Sequence, residues 1–402
     1  MRTLTLPILA ALLPMAAAAQ THSWGERNTD FPPVFPEQFR APLTDSGVAL
    51  KTEVLAGDLV HPWGIATLPD GQGWLVTERA GRMRHIAPDG TVSDPVAGTP
   101  DVLAESQGGL LDVALGPTFA EDRVIYVTYA KPVEGGSATA AAKMVLAEDL
   151  ASVSEVQDIF VQEPASPTPM HYGSRIVFLP DGTAAITTGE HSRDEERPFA
   201  QDLDKTYGKV VRVNLDGTTP TDNPYVGQEG VIDTIWSYGH RNIQGAALDA
   251  EGTLWTIEHG PQGGDELNRP EPGANYGWPV ISYGKRYDFR EADPGGPIGI
   301  GQAVEEGMEQ PVYFWDPVIA PGGMAFHSGE TFADWNGDIL SSSLRPGGVV
   351  RLSLNDAGLV VEEERLLMDL GRVRDVEIQP DGSFIVLTDF EDGEVIHVTP
   401  AD

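Results

Sequence analysis

Arg175-Ile176-Val177-Phe178-Leu179-Pro180-Asp181-Gly182, answered by Ala185-Ile186-Thr187-Thr188-Gly189-Glu190, reads as two short apolar strands joined by a tight turn. Pro presets φ for the turn and Gly takes its positive-φ corner, so Pro-Asp-Gly between apolar runs is a hairpin signal. The same unit recurs as Gly64–Gly71 with Gly73–Glu78, Leu111–Leu115 with Val124–Tyr129, and Gly245–Asp249 with Thr253–Glu258. It returns as Gly323–Phe326 with Gly337–Ser342, and as Asp375–Gly382 with Phe384–Thr388. The copies start about 50–80 residues apart, room for a four-stranded blade and its loops. Six copies predict an all-β, six-bladed β-propeller; a sandwich or a pair of barrels is the competing arrangement. Helical periodicity is nearly absent, and only Ala138–Ala147 and Asp202–Tyr207 are expected to hold a turn or two of helix.

Composition agrees. Gly (45) and Pro (32) make up about a fifth of 402 residues, as a chain of many turns requires. The net charge of −35, from 61 acidic and 26 basic residues, repels nucleic acid and anionic membrane. With no cysteine there is no disulfide, thiolate nucleophile or iron–sulfur cluster. Residues 1–19 carry one positive charge, a short apolar run and an Ala-x-Ala end before Gln20, the pattern of a secretory signal peptide. A Pro- and aromatic-rich lead-in, 20–50, and a propeller domain, 51–402, are expected to follow. The mature chain should be secreted, in the periplasm of a Gram-negative source, without membrane insertion.

Long polar, Gly-rich insertions at His191–Lys205, Glu258–Trp278 and Tyr283–Gln310 are expected to gather at one mouth of the ring, where ligands bind. Short His-, Arg- and carboxylate-bearing segments flank the hairpins. They are Gln107-Gly108-Gly109, His171-Tyr172-Gly173-Ser174-Arg175, Gly239-His240-Arg241-Asn242, Glu258-His259-Gly260-Pro261, Asn275-Tyr276-Gly277-Trp278-Pro279 and Arg372-Val373-Arg374. With Leu215-Asp216-Gly217 and Asp222-Asn223-Pro224, this ordered set resembles the soluble quinoprotein sugar dehydrogenases, from about Val54 to the C-terminus.

The resemblance implies oxidation of an aldose at C1 to the lactone, with hydride transfer to C5 of pyrroloquinoline quinone (PQQ), Ca²⁺ at the mouth, and an external electron acceptor. It makes His171 the general base, a task that suits an imidazole at neutral pH. Glu190 would orient that base where glucose dehydrogenases usually carry the shorter Asp, and Gln107 would lie near substrate and cofactor. Arg241 and Asn242 match the pair at the quinone carbonyls, where a fixed cation stabilises developing negative charge. Arg345, Arg372 and Arg374 would meet the cofactor carboxylates as planar forks; the last two, two residues apart, share one face of a pleated strand. Gly260 and Pro261 match backbone ligands of the cofactor-linked Ca²⁺, and Glu266 with the Tyr276 carbonyl match a further Ca²⁺ site. Tyr287 and Asp316 are expected near cofactor or sugar, Trp315 is a candidate to stack there, and His259 adds a possible second titrating group. The competing functions are a Ca²⁺-dependent propeller hydrolase of lactonase type and a non-catalytic binding propeller. Both a monomer and a homodimer fit the sequence.

Overall fold

A computed structural model of the chain describes residues 23–288 and 293–401; the expected signal peptide, 1–19, lies outside them. The described residues form six sheets, and each of the six hairpins is the first two strands of one sheet. Their first strands, Pro62–Thr67, Leu110–Leu115, Gly173–Phe178, Ile243–Leu248, Pro321–Phe326 and Val373–Ile378, touch one another in cyclic order around a central channel. This is a six-bladed propeller, numbered here as blades 1 to 6. Blade 1 has three strands and the others four. The ring is closed by Leu50–Leu59, which pairs antiparallel with the last strand, Gly393–Pro400, as the outer strand of blade 6.

The turns behave as their residues require. In blade 3 the Gly182 amide donates to the Leu179 carbonyl (3.0 Å) with Gly182 at φ +85°, while Asp181 accepts from the backbone N–H and hydroxyl of Thr183. Blade 6 repeats this at Gln379–Ser383. The expected helix over 138–147 is instead the strand Gly136–Leu146. Ala138, Ala140, Ala141 and Ala142 are all fully buried there, so tight packing in a central strand overrides alanine's helical preference. The stretch 202–207 is a run of turns, and the insertion 258–278 contributes a strand, Asp265–Asn268, to blade 4.

All six hairpins share one irregularity that positions the site. Between its last paired residues, the first strand of each blade holds one residue more than its partner. Such bulges re-aim side chains. Trp63, Leu111, Gln244 and Arg374 fall in these segments and face one cavity at the open end of the hairpins, opposite the Pro-Asp-Gly turns. In blade 3 the bulge carries Arg175 onto the channel axis. Its guanidinium donates to Asp112 of blade 2 (2.9 Å), Asp375 of blade 6 (3.1 Å) and the Gln244 carbonyl of blade 4 (3.1 Å), and lies 4.4 Å from the Trp63 ring of blade 1. Burial pushes the Asp112 carboxyl up to about 6 in spite of Arg175, and raises that of Asp375.

Arg175→Met leaves those two carboxylates buried without their cation and should destabilise the fold by about 3–5 kcal/mol at neutral pH. Both would then take up protons more readily, so the loss measured by chemical denaturation should shrink from pH 8 to pH 5. An equal loss at both values would contradict this account.

Candidate active site

A cavity of about 460 Å³ opens above the Trp63–Arg175 plug. Gln107, Asn242, His259, Arg345, Arg372 and Arg374 all line it, together with His61, Trp63, Arg79, Tyr172, Gln244 and Asp389. Four arginines face a single lining carboxylate, Asp389. In a chain of charge −35 this is a local reversal of sign and suits an anionic occupant.

Arg372, just before the strand Val373–Ile378, and Arg374, in its bulge rather than on one regular strand face, both reach Asp389 Oδ2 at 2.7 Å. His61 Nδ1 contacts the other oxygen at 2.9 Å. Burial alone would raise the Asp389 carboxyl, but Arg374 and Arg372 outweigh it and hold it well below the ordinary carboxylate range. Arg374 also donates to Gln244 Oε1 (3.1 Å), and Gln244 Nε2 donates to the Gly173 carbonyl (2.9 Å). The cationic wall is thereby fastened to the histidine loop. The buried Nε atoms of Arg241 and Arg374 have no hydrogen-bond partner among the described residues.

His171 precedes the first strand of blade 3, buried at φ +47°, beside the lining residues Gln107, Tyr172 and Gly173. Gln107 Oε1 accepts its backbone N–H (2.9 Å), and Asn242 Oδ1 accepts that of Gly173 (3.0 Å). Its Nδ1 lies 2.9 Å from Glu190 Oε1, and Glu190 Oε2 accepts the Ser192 amide. The longer Glu side chain therefore does reach the imidazole. Burial opposes ionisation of Glu190, yet His171 and Arg241 hold its carboxyl below the usual range. An ionised Glu190 keeps the ring proton on Nδ1 and leaves Nε2 as the lone-pair nitrogen. Burial, then Arg241, lower the His171 pKa, so the ring is neutral at neutral pH.

Arg241 extends from the same loop as Asn242. Its amide donates to Glu258 Oε2 (2.6 Å), Nη1 donates to the His259 carbonyl (3.0 Å), and its guanidinium lies 5.2 Å from the Trp278 ring. His259 lies against the Pro321 carbonyl through Nε2 (2.6 Å), and burial, with Arg241 and Arg374, pushes its pKa down to about 3. It therefore stays neutral near pH 7 and adds no second titration there. Asp265 accepts the amides of Gly260, Ile319 and Ala320 at 2.7–2.8 Å, fixing the turn that carries Gly260 and Pro261. Among the described residues neither of those two carbonyl oxygens accepts a hydrogen bond. Glu266 and Tyr276 come together with Arg241 and Glu258 around a small cavity of about 10 Å³. Burial and the neighbouring Glu258 push the Glu266 carboxyl well above its ordinary value. No cluster of three or more His, Asp or Glu able to hold a metal occurs among the described residues.

Three expected contacts fall elsewhere. Tyr287 lines an adjoining pocket rather than this cavity. Asp316 accepts the amides of Asn28 and Thr29 and the Asn28 side chain (2.7–3.0 Å), anchoring the lead-in segment. Trp315 is buried in the core with Nε1 donating to Glu363 (2.9 Å). Sequence reasoning passed over Asp389, Arg79, His61 and Gln244. For Gln244 a signal existed: it lies two residues after Asn242, in the stretch entering a blade strand.

Comparison with known proteins bears on the same region. The sequence model of the glucose/sorbosone dehydrogenase family matches residues 59–397. The chain belongs to this family. It is 42% identical over 354 residues to the aldose sugar dehydrogenase YliI of Escherichia coli, covering 87% of this chain and 93% of that one. The crystal structure of the soluble Escherichia coli aldose sugar dehydrogenase in its apo form superposes with a TM-score of 0.82 at 41% identity, over 88% of this chain and all of that one. The PQQ-bound aldose sugar dehydrogenase of Streptomyces coelicolor superposes with a TM-score of 0.68 at 26% identity, over 87% of this chain and 99% of that one. The family span reaches from the Leu59 end of the ring-closing strand to the last strand, and so contains the whole cavity wall.

Asp389→Asn keeps the shape of the cradle and removes its one lining carboxylate. The depressed acid contributes stability that is present above about pH 4 and lost as the pH falls below it. The variant should therefore melt lower than the parent at pH 7, and the gap should narrow at pH 3. A gap that stays constant across that range would overturn the assignment.

Proposed function

We propose that this protein oxidises aldose sugars at C1 to the lactone, using PQQ with Ca²⁺ and passing the electrons to an external acceptor. The observation that carries the reading is the pairing of a neutral, carboxylate-oriented histidine with an arginine-lined cavity. The set Arg79, Arg345, Arg372 and Arg374, with the unpartnered Nε of Arg374, suits a planar tricarboxylate such as PQQ. The Gly260 and Pro261 carbonyls would hold Ca²⁺ as hard oxygen ligands, and Glu266 with the Tyr276 carbonyl would hold a second ion. When bound, the quinone supplies a two-electron acceptor beside the sugar carbon.

The remaining steps belong to the chain. His171 Nε2 takes the proton of the C1 hydroxyl while Glu190 holds the imidazole and stabilises the imidazolium. Gln107 anchors the His171 backbone and offers its amide N–H to a sugar hydroxyl. Arg241, stacked near Trp278 and poised 4.0 Å from Glu190, would hold the quinone through its unpartnered Nε and supply a fixed cation that favours negative charge there. The arginine wall disfavours a lactonase, whose metal needs carboxylates around the channel. A purely binding propeller would have no use for the His171–Glu190 pair. The pattern of residues 1–19 supports export, and no helix among the described residues is long and apolar enough to cross a membrane.

Purified protein given PQQ and Ca²⁺ should acquire a quinone absorbance and bleach a redox dye with glucose or another aldose. Several aldoses without activity, and no bound quinone, would sink the proposal. His171→Ala should lower turnover by about 10²–10⁴-fold with cofactor absorbance retained. Glu190→Gln removes a charge that raises the His171 pKa, so the acid limb of the rate profile should move to lower pH as the maximal rate falls.

A further inference from the structure

His171 and Glu190 both lie beyond the regular strands of blade 3: the first precedes Gly173–Phe178 and the second follows Thr183–Thr188. The last ladder pair between those strands is Gly173 with Thr188, so sheet pairing does not itself fix the 2.9 Å contact of His171 with Glu190. His171, His191 and Ser192 hold positive φ (+47°, +62° and +72°). L-residues keep that conformation only where their surroundings over-determine it. Here the surroundings converge on His191, the residue after Glu190, a fully buried imidazole that does not line the arginine cavity.

Backbone groups fix the orientation of the Gln162 side chain. Its Oε1 accepts the Thr139 amide (3.2 Å), and its Nε2 donates to the carbonyls of Gly189 (2.9 Å) and Thr206 (3.2 Å). His191 Nε2 lies 2.7 Å from that Oε1, so the ring carries its proton on Nε2 and donates it there. Nδ1 then faces the Thr168 carbonyl at 3.1 Å, a contact that only a protonated ring would turn into a hydrogen bond. Burial pushes the His191 pKa down to about 4, so the ring is neutral near pH 7. It is wedged edge-on between Tyr172 and Tyr207, 5.1 Å from each ring. The Thr139 hydroxyl in turn donates to the Tyr172 carbonyl (2.6 Å). The run His191–Gln162–Thr139 thereby holds Tyr172, next to His171, and Gly189, next to Glu190, from the end of blade 2.

We propose that His191 is a positioning residue, whose Nε2–H, acting through Gln162, sets the spacing of His171 and Glu190. The inference rests on the sugar dehydrogenase reading, in which His171 is the base, and it adds no group to the reacting atoms. With the tie cut, residues 189–192 can relax from their positive φ, and Glu190 draws back from Nδ1. His171 then protonates less readily, because Glu190 is the neighbour that favours its cation, and its Nε2 is no longer aimed. The other charges that act on His171, Arg241 and Arg197, are retained in every variant below.

His191→Phe keeps a ring between the tyrosines and removes the N–H, whereas His191→Gln returns a side-chain N–H close to the place of Nε2. In protein loaded with PQQ and Ca²⁺, His191→Phe should lower kcat by about ten- to a hundredfold, with the KM for glucose and the quinone absorbance unchanged. Its acid limb should move to lower pH, as for Glu190→Gln, and His191→Gln should recover both rate and profile. Gln162→Met, which breaks the same tie from the other side, should reproduce the defect of His191→Phe. In a Glu190→Gln background His191→Phe should add nothing, because it acts through that carboxylate. A parent-like pH profile in His191→Phe or Gln162→Met, an equal defect in His191→Gln, or effects additive with Glu190→Gln would overturn the proposal. The titration of the His171 ring, followed by NMR of histidine-labelled protein and assigned with His171→Ala, needs no turnover and should move to lower pH in His191→Phe. If it does so while no variant oxidises a sugar, the positioning stands and the sugar dehydrogenase reading fails; an unmoved titration overturns the positioning.

Discussion

Arg175 sits where every part of the molecule must agree. One guanidinium on the channel axis contacts carboxylates from blades 2 and 6, a carbonyl from blade 4 and an aromatic ring from blade 1. It can do so only if the ring is closed at the correct diameter, which the pairing of Leu50–Leu59 with Gly393–Pro400 enforces. The same group closes the bottom of the cavity. Trp63 lines the cavity and packs over Arg175, and the Gln244 carbonyl that Arg175 engages belongs to the residue whose amide joins Arg374 to Gly173. A buried cation between two buried carboxylates adds little net stability on its own. Its effect here is to tie blades 1, 2, 4 and 6 to the first strand of blade 3 through one group.

Electrostatics organise the site in the same way. The chain is strongly acidic, yet around the cavity its carboxylates are few and committed: Asp389 to two arginines and a histidine, Glu190 to His171, Glu258 to His240 and the Arg241 amide. Each acid is consumed by positioning, so the arginines keep a net positive field facing the cavity. Low dielectric makes that field count for more than the bulk charge, which is screened by salt within roughly 10 Å. An acidic protein can thus hold an anion without conflict.

The hairpins were legible because each carries its own local instruction, apolar strand, Pro-Asp-Gly or similar turn, apolar strand, and these survive in any tertiary setting. His171, Arg241 and Arg374 were legible because they sit in short motifs at the strand entries. Asp389 was not, because Thr388-Asp389-Phe390 looks like any strand end; its meaning arises only when Arg372 and Arg374 are brought to the same oxygen. The bulges were hidden for a related reason. One extra residue per first strand leaves the apolar pattern intact and is defined only against the register of the partner strand. Asp316 was read toward the site when its carboxylate is turned to the lead-in, a contact across 288 residues that no local pattern encodes.

The geometry also explains how a buried histidine would serve as base, in the proposed reaction, without being silenced. Desolvation and Arg241 disfavour its charged form, which keeps Nε2 free at neutral pH; Glu190, on the other nitrogen, favours the cation once a proton arrives. The two influences act on different stages of proton transfer. Arg241 stands 4.0 Å from Glu190 and offsets part of that carboxylate's pull on a His171 proton. Removing Arg241 would therefore alter the proton affinity of His171 as well as the positive charge beside it. The histidine, glutamate and arginine act as one coupled unit, and that coupling follows from blades 3 and 4 meeting where Asn242 pins the loop of His171.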